Sequence, residues 1–538
     1  MGPVHRPTAG QLRRFFAAAI SGIVAAGIFI GIADLLARFF APASSPLIAL
    51  GNSVIELAPP AVQDVAISIF GSSNKLVLVL GMGIGGAVLA AGIGLLARRR
   101  LGLACGTFAA VAAVLLATVV SRPETSLSDL VPTALGAVSG VAALVVLIRA
   151  SGSSASGSPA ESSAPGASEP SQRNSVGEED ERPSRRMFLT LTAAGTVAAA
   201  ASLSLGRSVG AFTRTAGAAI SELVLPSPAV RAAAIPSEAI VDIDGVEPFI
   251  TPNDEFYRID TALAVPELTP QEWSLRIHGL VEEEVTLDMP QLLDLPLEEH
   301  HITLTCVSNP VGGDLLGTAT WLGYPVRELL AQARPLPEAD MVLSRSVDGF
   351  TASTPLEALT DSRDSLLAIG MNGDPLPAEH GFPARLVVPG LYGYVSATKW
   401  VIELEVTRFD QDTAYWTDRG WDEKAPVLVS SRIDVPGSLE EVDSGDVVIA
   451  GSAWSQQEGI EKVEVRIDDG EWQEAEMAAE VSADTWRQWR YVYADAGSGR
   501  HSVTVRATNA AGETQTDERR DPIPNAATGQ HRIEFRVS

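Results

Sequence analysis

A chain of 538 residues is too long for one hydrophobic core, so several domains are expected. The net charge of −27 is unevenly placed: residues 1–150 hold 10 Lys or Arg and 5 Asp or Glu, a balance of +5, and the remainder carries −32. A surface that acidic repels phosphate backbones and argues against nucleic acid as a partner, while two isolated cysteines, Cys105 and Cys306, exclude a disulfide framework.

Four apolar runs come first: Phe15–Phe40, Leu76–Ala97, Leu101–Val120 and Val131–Ile148. Each is near the roughly 20 residues that an apolar helix needs to cross a bilayer, so residues 1–150 read as a four-helix transmembrane region. Gly27 and Gly31, and Gly81 and Gly85, have the GxxxG spacing that lets helices approach closely. Arg13 and Arg14 precede the first run and Arg98, Arg99 and Arg100 follow the second. That asymmetry places the N terminus in the cytoplasm, and the end of the fourth span, at Arg149, there too.

Residues 151–184 are rich in Ser, Gly, Pro, Ala and Glu and cannot bury enough surface to order themselves, which predicts a disordered linker. Ser184-Arg185-Arg186-Met187-Phe188-Leu189, with the Ala-rich run to Leu205, has the pattern of a twin-arginine export signal or a fifth transmembrane helix over 185–206. Both readings place everything beyond it outside the cytoplasm. From 227 to 408, β-like runs such as Trp273–Ile277 and Arg385–Val388 alternate with helical stretches such as Pro290–Leu295 and Pro325–Ala333, an α+β pattern. From 426 to 538 the alternation has period two: Val463, Val465 and Ile467, then an Asp469-Gly470 turn, then Val503, Val505 and Ala507, then Ile533, Phe535 and Val537. An all-β, immunoglobulin-like sandwich is the economical reading.

Cys306 ends a strand-like run, Ile302-Thr303-Leu304-Thr305-Cys306, and by itself reads as a small core residue. Downstream, Glu379-His380-Gly381-Phe382-Pro383-Ala384-Arg385, Val387-Val388-Pro389-Gly390 and Lys399-Trp400 gather His, Arg and Lys around Gly-rich turns. Such a set suits phosphate oxygens, although cations at strand ends are more often a solvated surface.

These residues resemble the sulfite-oxidase type of molybdopterin enzymes, over Asp242 to Ser538. In that family a Thr-Leu-x-Cys segment supplies the thiolate to molybdenum, which matches Thr303 to Cys306. The resemblance implies that Cys306 is the metal ligand and the catalytic residue. It further implies that His380, Arg385 and Lys399 hold the pterin and its phosphate, with Ser396 and Thr398 nearby. Asn253, Phe256 and Tyr257 match the family's early cofactor-contacting segment, and the C-terminal sandwich matches its dimerisation domain, implying a homodimer. The implied activity is oxygen-atom transfer at a molybdenum–molybdopterin cofactor. A soft thiolate suits such a site, and the metal itself stabilises the deprotonated sulfur.

One departure bears on substrate. Sulfite-oxidising members carry arginines shortly after the Asn that follows the metal cysteine, whereas Asn309 is followed by Pro310, Val311, Gly312 and Gly313. Arg258 is a candidate stand-in near the early segment. A small S- or N-oxide, or a related sulfur compound, therefore competes with sulfite as substrate. A non-catalytic surface interaction protein is the alternative of another class. CxxCH and clustered CxxC spacings are absent and none of the seven histidines lies within a span, so neither haem nor an iron–sulfur cluster is expected in this chain. Electrons would come through a quinone or a haem-protein partner at the membrane.

Overall fold

The computed structural model describes residues 8–37, 44–58, 74–121, 127–152, 190, 192–194, 196, 220–262 and 264–538. They fall into two units, Met1–Arg214 and Thr215–Ser538. The linker at 151–184 and the twin-arginine segment lie outside the described residues, except at their edges and at a few helical positions between 190 and 196.

The first unit contains α1 (Ala9–Ala37), α2 (Pro46–Leu57), α3 (Asn74–Ala97), α4 (Leu101–Val120) and α5 (Val131–Gly152). Four stretches are long and apolar enough to span a bilayer: Gln11–Ala37, Val77–Ala97, Leu101–Val120 and Leu127–Ser151. At 12 residues, α2 is too short to cross and was not anticipated. Close helix approach falls on glycines other than Gly81 and Gly85, where an added Cβ would meet open space. A Cβ on Gly22 would lie 2.0 Å from Ala90 O, and one on Gly94 2.0 Å from Ala18 O, so α1 and α3 touch backbone to backbone. Gly136 of α5 lies in the same way against the Phe29 carbonyl of α1, and a Cβ on Gly140 would meet the side chains of Phe108 and Phe29.

In the second unit, ten strands and four short helices form the α+β part: β1 (Ser274–Gly279), β2 (Val285–Asp288), α6 (Met289–Leu293), β3 (Glu298–Thr305), β4 (Leu316–Pro325), α7 (Val326–Ala333), β5 (Met341–Ser346), β6 (Thr351–Pro355), α8 (Leu356–Thr360), β7 (Leu366–Met371), β8 (Asp374–Pro375), β9 (Arg385–Val387), α9 (Gly393–Ser396) and β10 (Val401–Thr407). One sheet has the order β2-β1-β10-β5-β6, the other β3-β4-β7-β8 with β9 also on β7. β7, Leu366-Leu367-Ala368-Ile369-Gly370-Met371, is buried throughout, as a continuous apolar run predicts for a central strand. Asp288 and Gln291 close a capping box at the start of α6.

The sandwich follows: β11 (Ser430–Val435), β12 (Glu441–Val442), β13 (Gly445–Trp454), β14 (Ile460–Ile467), β15 (Trp472–Glu474), β16 (Glu476–Met477), β17 (Arg487–Ala496), β18 (Gly499–Asn509) and β19 (His531–Val537). Sheets β11-β13-β17-β16 and β12-β19-β18-β14-β15 enclose a core that includes Val463, Val465, Trp489, Val505 and Phe535. The β14–β15 turn is centred on Asp468 and Asp469, with φ of 48° and 60°, one residue earlier than the Asp469-Gly470 pair. Asp is one of the few residues with a side chain that visits the left-handed region, so glycine is not required there, and here the two carboxylates bond across to Ser502, His501 and Arg532.

The two parts of this unit share contacts at β3. The Thr303 N–H donates to Asp484 O at 3.0 Å, the Thr303 carbonyl accepts from Gln456 Nε2, and the Trp486 N–H donates to Thr303 Oγ1 at 2.8 Å. Trp454 and Trp486 pack into the core of the α+β part although both belong to the sandwich stretch of the chain.

Candidate active site

Cys306 is the first residue past β3, in a loop that folds back onto β4. Its N–H donates to Leu315 O at 2.9 Å, and Asn309 Oδ1 accepts from the Leu315 N–H at 3.0 Å, which fixes the loop from both ends. The thiol is 9% exposed, and its Sγ lies 2.9 Å from Ser308 Oγ. Burial pushes its pKa up, while the bonds to Ser308 and the Lys399 charge act the other way.

Two cavities share Cys306 as a lining residue. The larger, about 110 Å³, is lined by Phe256, Tyr257, Asp260, Cys306, Ser346, Asp348, Arg385, Tyr394, Lys399, Trp400 and Trp416 among others. Arg385 opens β9, is 4% exposed, and donates to His380 O at 3.0 Å and Leu386 O at 3.3 Å. Its guanidinium lies 5.0 Å from the Trp321 ring centre and pairs with no carboxylate among the described residues. Burial pulls its pKa down to about 10, against the opposing influence of Tyr257. Lys399 Nζ donates to Asp260 Oδ2 at 3.3 Å and to Glu379 O at 3.0 Å. Its pKa falls to about 8, chiefly by burial, with Asp260 opposing and Arg385 and Arg258 assisting.

Gly381, at φ 113°, allows this crowding. A Cβ there would come within 3.0 Å of Arg385 Cβ and 3.2 Å of Lys399. His380, 2% exposed, stands behind Arg385 and not at the cavity wall. Its Nε2 bonds to Asn253 O at 3.0 Å, while its Nδ1 is buried without a partner. Burial, Arg385 and Lys399 hold its pKa down at about 4, so the ring is neutral.

The remaining candidates are placed as follows. Phe256 stacks on Tyr257 with ring centres 5.2 Å apart and meets His380 edge-on. The Asn253 side chain is held by Asn372 and Met371 behind the cavity. The Ser396 hydroxyl donates to Tyr392 O at 2.9 Å, and the Thr398 hydroxyl bonds Ser344 at 2.7 Å. Neither lines the cavity. Arg258 is half-exposed and pairs with Asp260. His300 sits between Glu298 and Asp364, away from the site; burial alone would lower its pKa, but those two bonds raise it. Asp260, Asp348, Tyr392, Tyr394 and Trp416 were missed. Tyr392 and Tyr394 stand inside the Gly390-to-Lys399 run, where a signal existed; Asp348 carried none.

This lining fits a phosphorylated, sulfur-bearing metal cofactor. A buried guanidinium without a carboxylate, a buried lysine and a soft sulfur line one cavity, and an imidazole nitrogen without a partner is buried behind that guanidinium.

Residues 262–416 match the oxidoreductase molybdopterin binding domain. Mitochondrial sulfite oxidase of Rattus norvegicus is 32% identical over 291 residues, 45% of this chain and 53% of that one. Inducible nitrate reductase (NADH) 1 of Glycine max is 29% identical over 197 residues, 31% of this chain and 22% of that one. The chain thus spans about half the length of the mammalian sulfite oxidases it matches. Among solved structures, sulfane dehydrogenase SoxCD from Paracoccus pantotrophus aligns at 27% identity with a TM-score of 0.45, covering 49% of this chain and 74% of that one.

Proposed function

We propose that this chain, whose residues 262–416 match the molybdopterin binding domain, is a membrane-anchored oxidoreductase of the sulfite-oxidase type whose Cys306 ligates molybdenum outside the cytoplasm. The observation that carries this reading is the buried Cys306 thiol on the wall of a cavity that also holds Arg385 and Lys399. A bound molybdenum–molybdopterin group supplies two-electron chemistry in which an oxygen atom passes to or from a substrate. Cys306 would give the thiolate, and Arg385 and Lys399 the cations for the phosphate. Neutral His380, through Asn253, would fix the turn at Gly381. Phe256, Tyr257 and Trp416 would exclude water from the larger cavity.

The substrate in this reading is a small S- or N-oxide. Its reduction breaks the oxide bond, consumes two electrons and two protons, and releases water. The reductant would be a quinol in the membrane or a haem-protein partner. A sulfite oxidase needs a cation free to meet the anion, and each of two distant candidates has another contact, although one guanidinium nitrogen of each has no partner. Arg419 lies 3.6 Å over the Tyr415 ring, and Arg432 is ion-paired with Asp434 at 2.6 Å. The loop charges flanking the apolar helices support an outward-facing catalytic part, and the sandwich is proposed to pair two copies.

Molybdenum and pterin analysis of the purified protein beside Cys306→Ser tests the reading. Metal and pterin in the wild type, with metal or activity lost in the variant, are expected. Properly folded protein containing neither would leave a non-catalytic surface module.

A further inference from the structure

Cys306 is held from the sandwich on both of its flanks. Before it, Thr303 of β3 bonds Asp484, Gln456 and Trp486. After it, the turn at 309–313 reaches β11 and β19. Arg432 of β11 donates from Nη1 to Gly313 O at 3.1 Å. His531, which opens β19, accepts the Ile433 N–H on Nδ1 at 3.0 Å and lays its ring against Gly312. A Cβ on Gly312, where φ is 79°, would lie 2.3 Å from His531 Cδ2 and Nε2, so a side chain there would displace the ring.

The turn carries these contacts back to the sulfur. The Gly313 N–H donates to Pro310 O at 2.9 Å, and a Cβ on Gly313 would lie 2.4 Å from Asn309 Oδ1, which itself accepts from the Leu315 N–H at 3.0 Å. The Asn309 N–H donates to Cys306 O at 3.1 Å. Each link is a backbone bond or a short side chain, so a shift of Gly313 reaches Cys306 with little slack.

Stability alone is a poor reason for this clamp. Arg432 and Asp434 are ion-paired at 2.6 Å with side chains 6% and 5% exposed, and desolvation offsets most of the attraction within a buried pair. The pair is also incompletely satisfied, because Arg432 Nη2 and Asp434 Oδ2 are buried without partners among the described residues. Asp434 orients the guanidinium, and the planar fork then aims a second nitrogen at Gly313 O, which a single ammonium cannot do. We infer that Arg432 and His531 are positioning residues: from the sandwich, through the Gly312–Gly313 turn, they fix where the Cys306 sulfur stands. The inference rests on the reading of Cys306 as the metal ligand. A ligand sets a metal's geometry only as well as its own loop is held. The sandwich thus serves the reaction site apart from any pairing of subunits.

The test uses the full-length protein in detergent. Cells starved of molybdate supply protein whose Cys306 carries no molybdenum, and N-ethylmaleimide labelling is followed by mass spectrometry of the Cys306 peptide, which separates it from Cys105. A thiol 9% exposed is reached when its turn opens. Arg432→Lys keeps a charge beside Asp434 and loses the bond to Gly313, so labelling should quicken about five- to tenfold, the loss of one hydrogen bond. His531→Ala, which removes the ring beside Gly312, should act likewise, and it decides alone if Arg432→Lys does not fold. Val505→Ala, cut into the sandwich core, should lower the unfolding midpoint and leave the labelling rate unchanged. In protein from molybdate-fed cells, the Mo(V) electron paramagnetic resonance signal should shift in the first two variants and not in the third. Wild-type labelling rates in both positioning variants, equal acceleration in Val505→Ala, or a molybdenum signal unchanged in both variants overturns the assignment. Molybdate-fed wild type without molybdenum, together with faster labelling in both variants, upholds the hold on the sulfur and overturns only the metal-ligand reading.

Discussion

Trp486 should be the residue whose loss most directly separates the sandwich from the α+β part. Its side chain is 1% exposed and sits in the α+β core, and its indole N–H donates to Phe249 O at 3.0 Å. Trp486→Ala removes a fully buried indole, a change that costs about 3–5 kcal/mol through lost transfer energy and the cavity left behind. The orphaned Phe249 carbonyl adds about 1 kcal/mol. The backbone bond to Thr303 survives the substitution. A loss of about 5 kcal/mol should lower the unfolding midpoint of this unit by roughly 10 °C. Because the missing contacts join two parts, scanning calorimetry of the full chain should show its transition broaden or split. Trp486→Phe, which keeps much of the ring, should fall between. A single transition within about 1 °C of the wild type would refute the claim that Trp486 couples the two parts.

His531, against the Cys306 loop at Gly312, has its pKa held at about 4 by burial, Arg432 and Arg519. The unfolded chain binds a proton there near pH 6.5 and the folded chain does not, so stability should fall as pH drops from about 6.5 to 4, by up to about 3 kcal/mol. Denaturation midpoints at pH 7 and 5 should therefore differ more in the wild type than in His531→Gln. In the membrane-spanning region, Gly94→Leu should weaken the α1–α3 contact, since its Cβ would lie 2.0 Å from Ala18 O. Gly83→Leu, with open space around Cβ, should not, and unfolding in detergent titrated with a denaturing surfactant separates the two.

Much of this organisation was legible in one dimension. Four apolar stretches needed only a length and a hydropathy, and the alternation at Val463, Val465 and Ile467 needed only a period of two, because both properties repeat over neighbouring residues. The run from His380 to Trp400 drew attention to Arg385 and Lys399, which do line one cavity with Cys306. The short α2, the turn centred on Asp468 and Asp469, and the choice of Gly22 and Gly94 as contact glycines were not legible. Sequence cannot say which of several equivalent small residues meets a neighbour.

The sequence by itself determined that apolar spans come first, that an α+β part and then an all-β part follow, and which cysteine stands among cationic motifs. Only the tertiary structure decided that Lys399 reaches Asp260, that Ser396 and Thr398 turn their hydroxyls into the protein, and that Trp454 and Tyr392 stand together beside Cys306. The reason is chain distance. Asp260 and Lys399 are 139 residues apart and Thr303 and Trp486 are 183 apart, and contacts at such separations are set by how sheets pack, which no local pattern records.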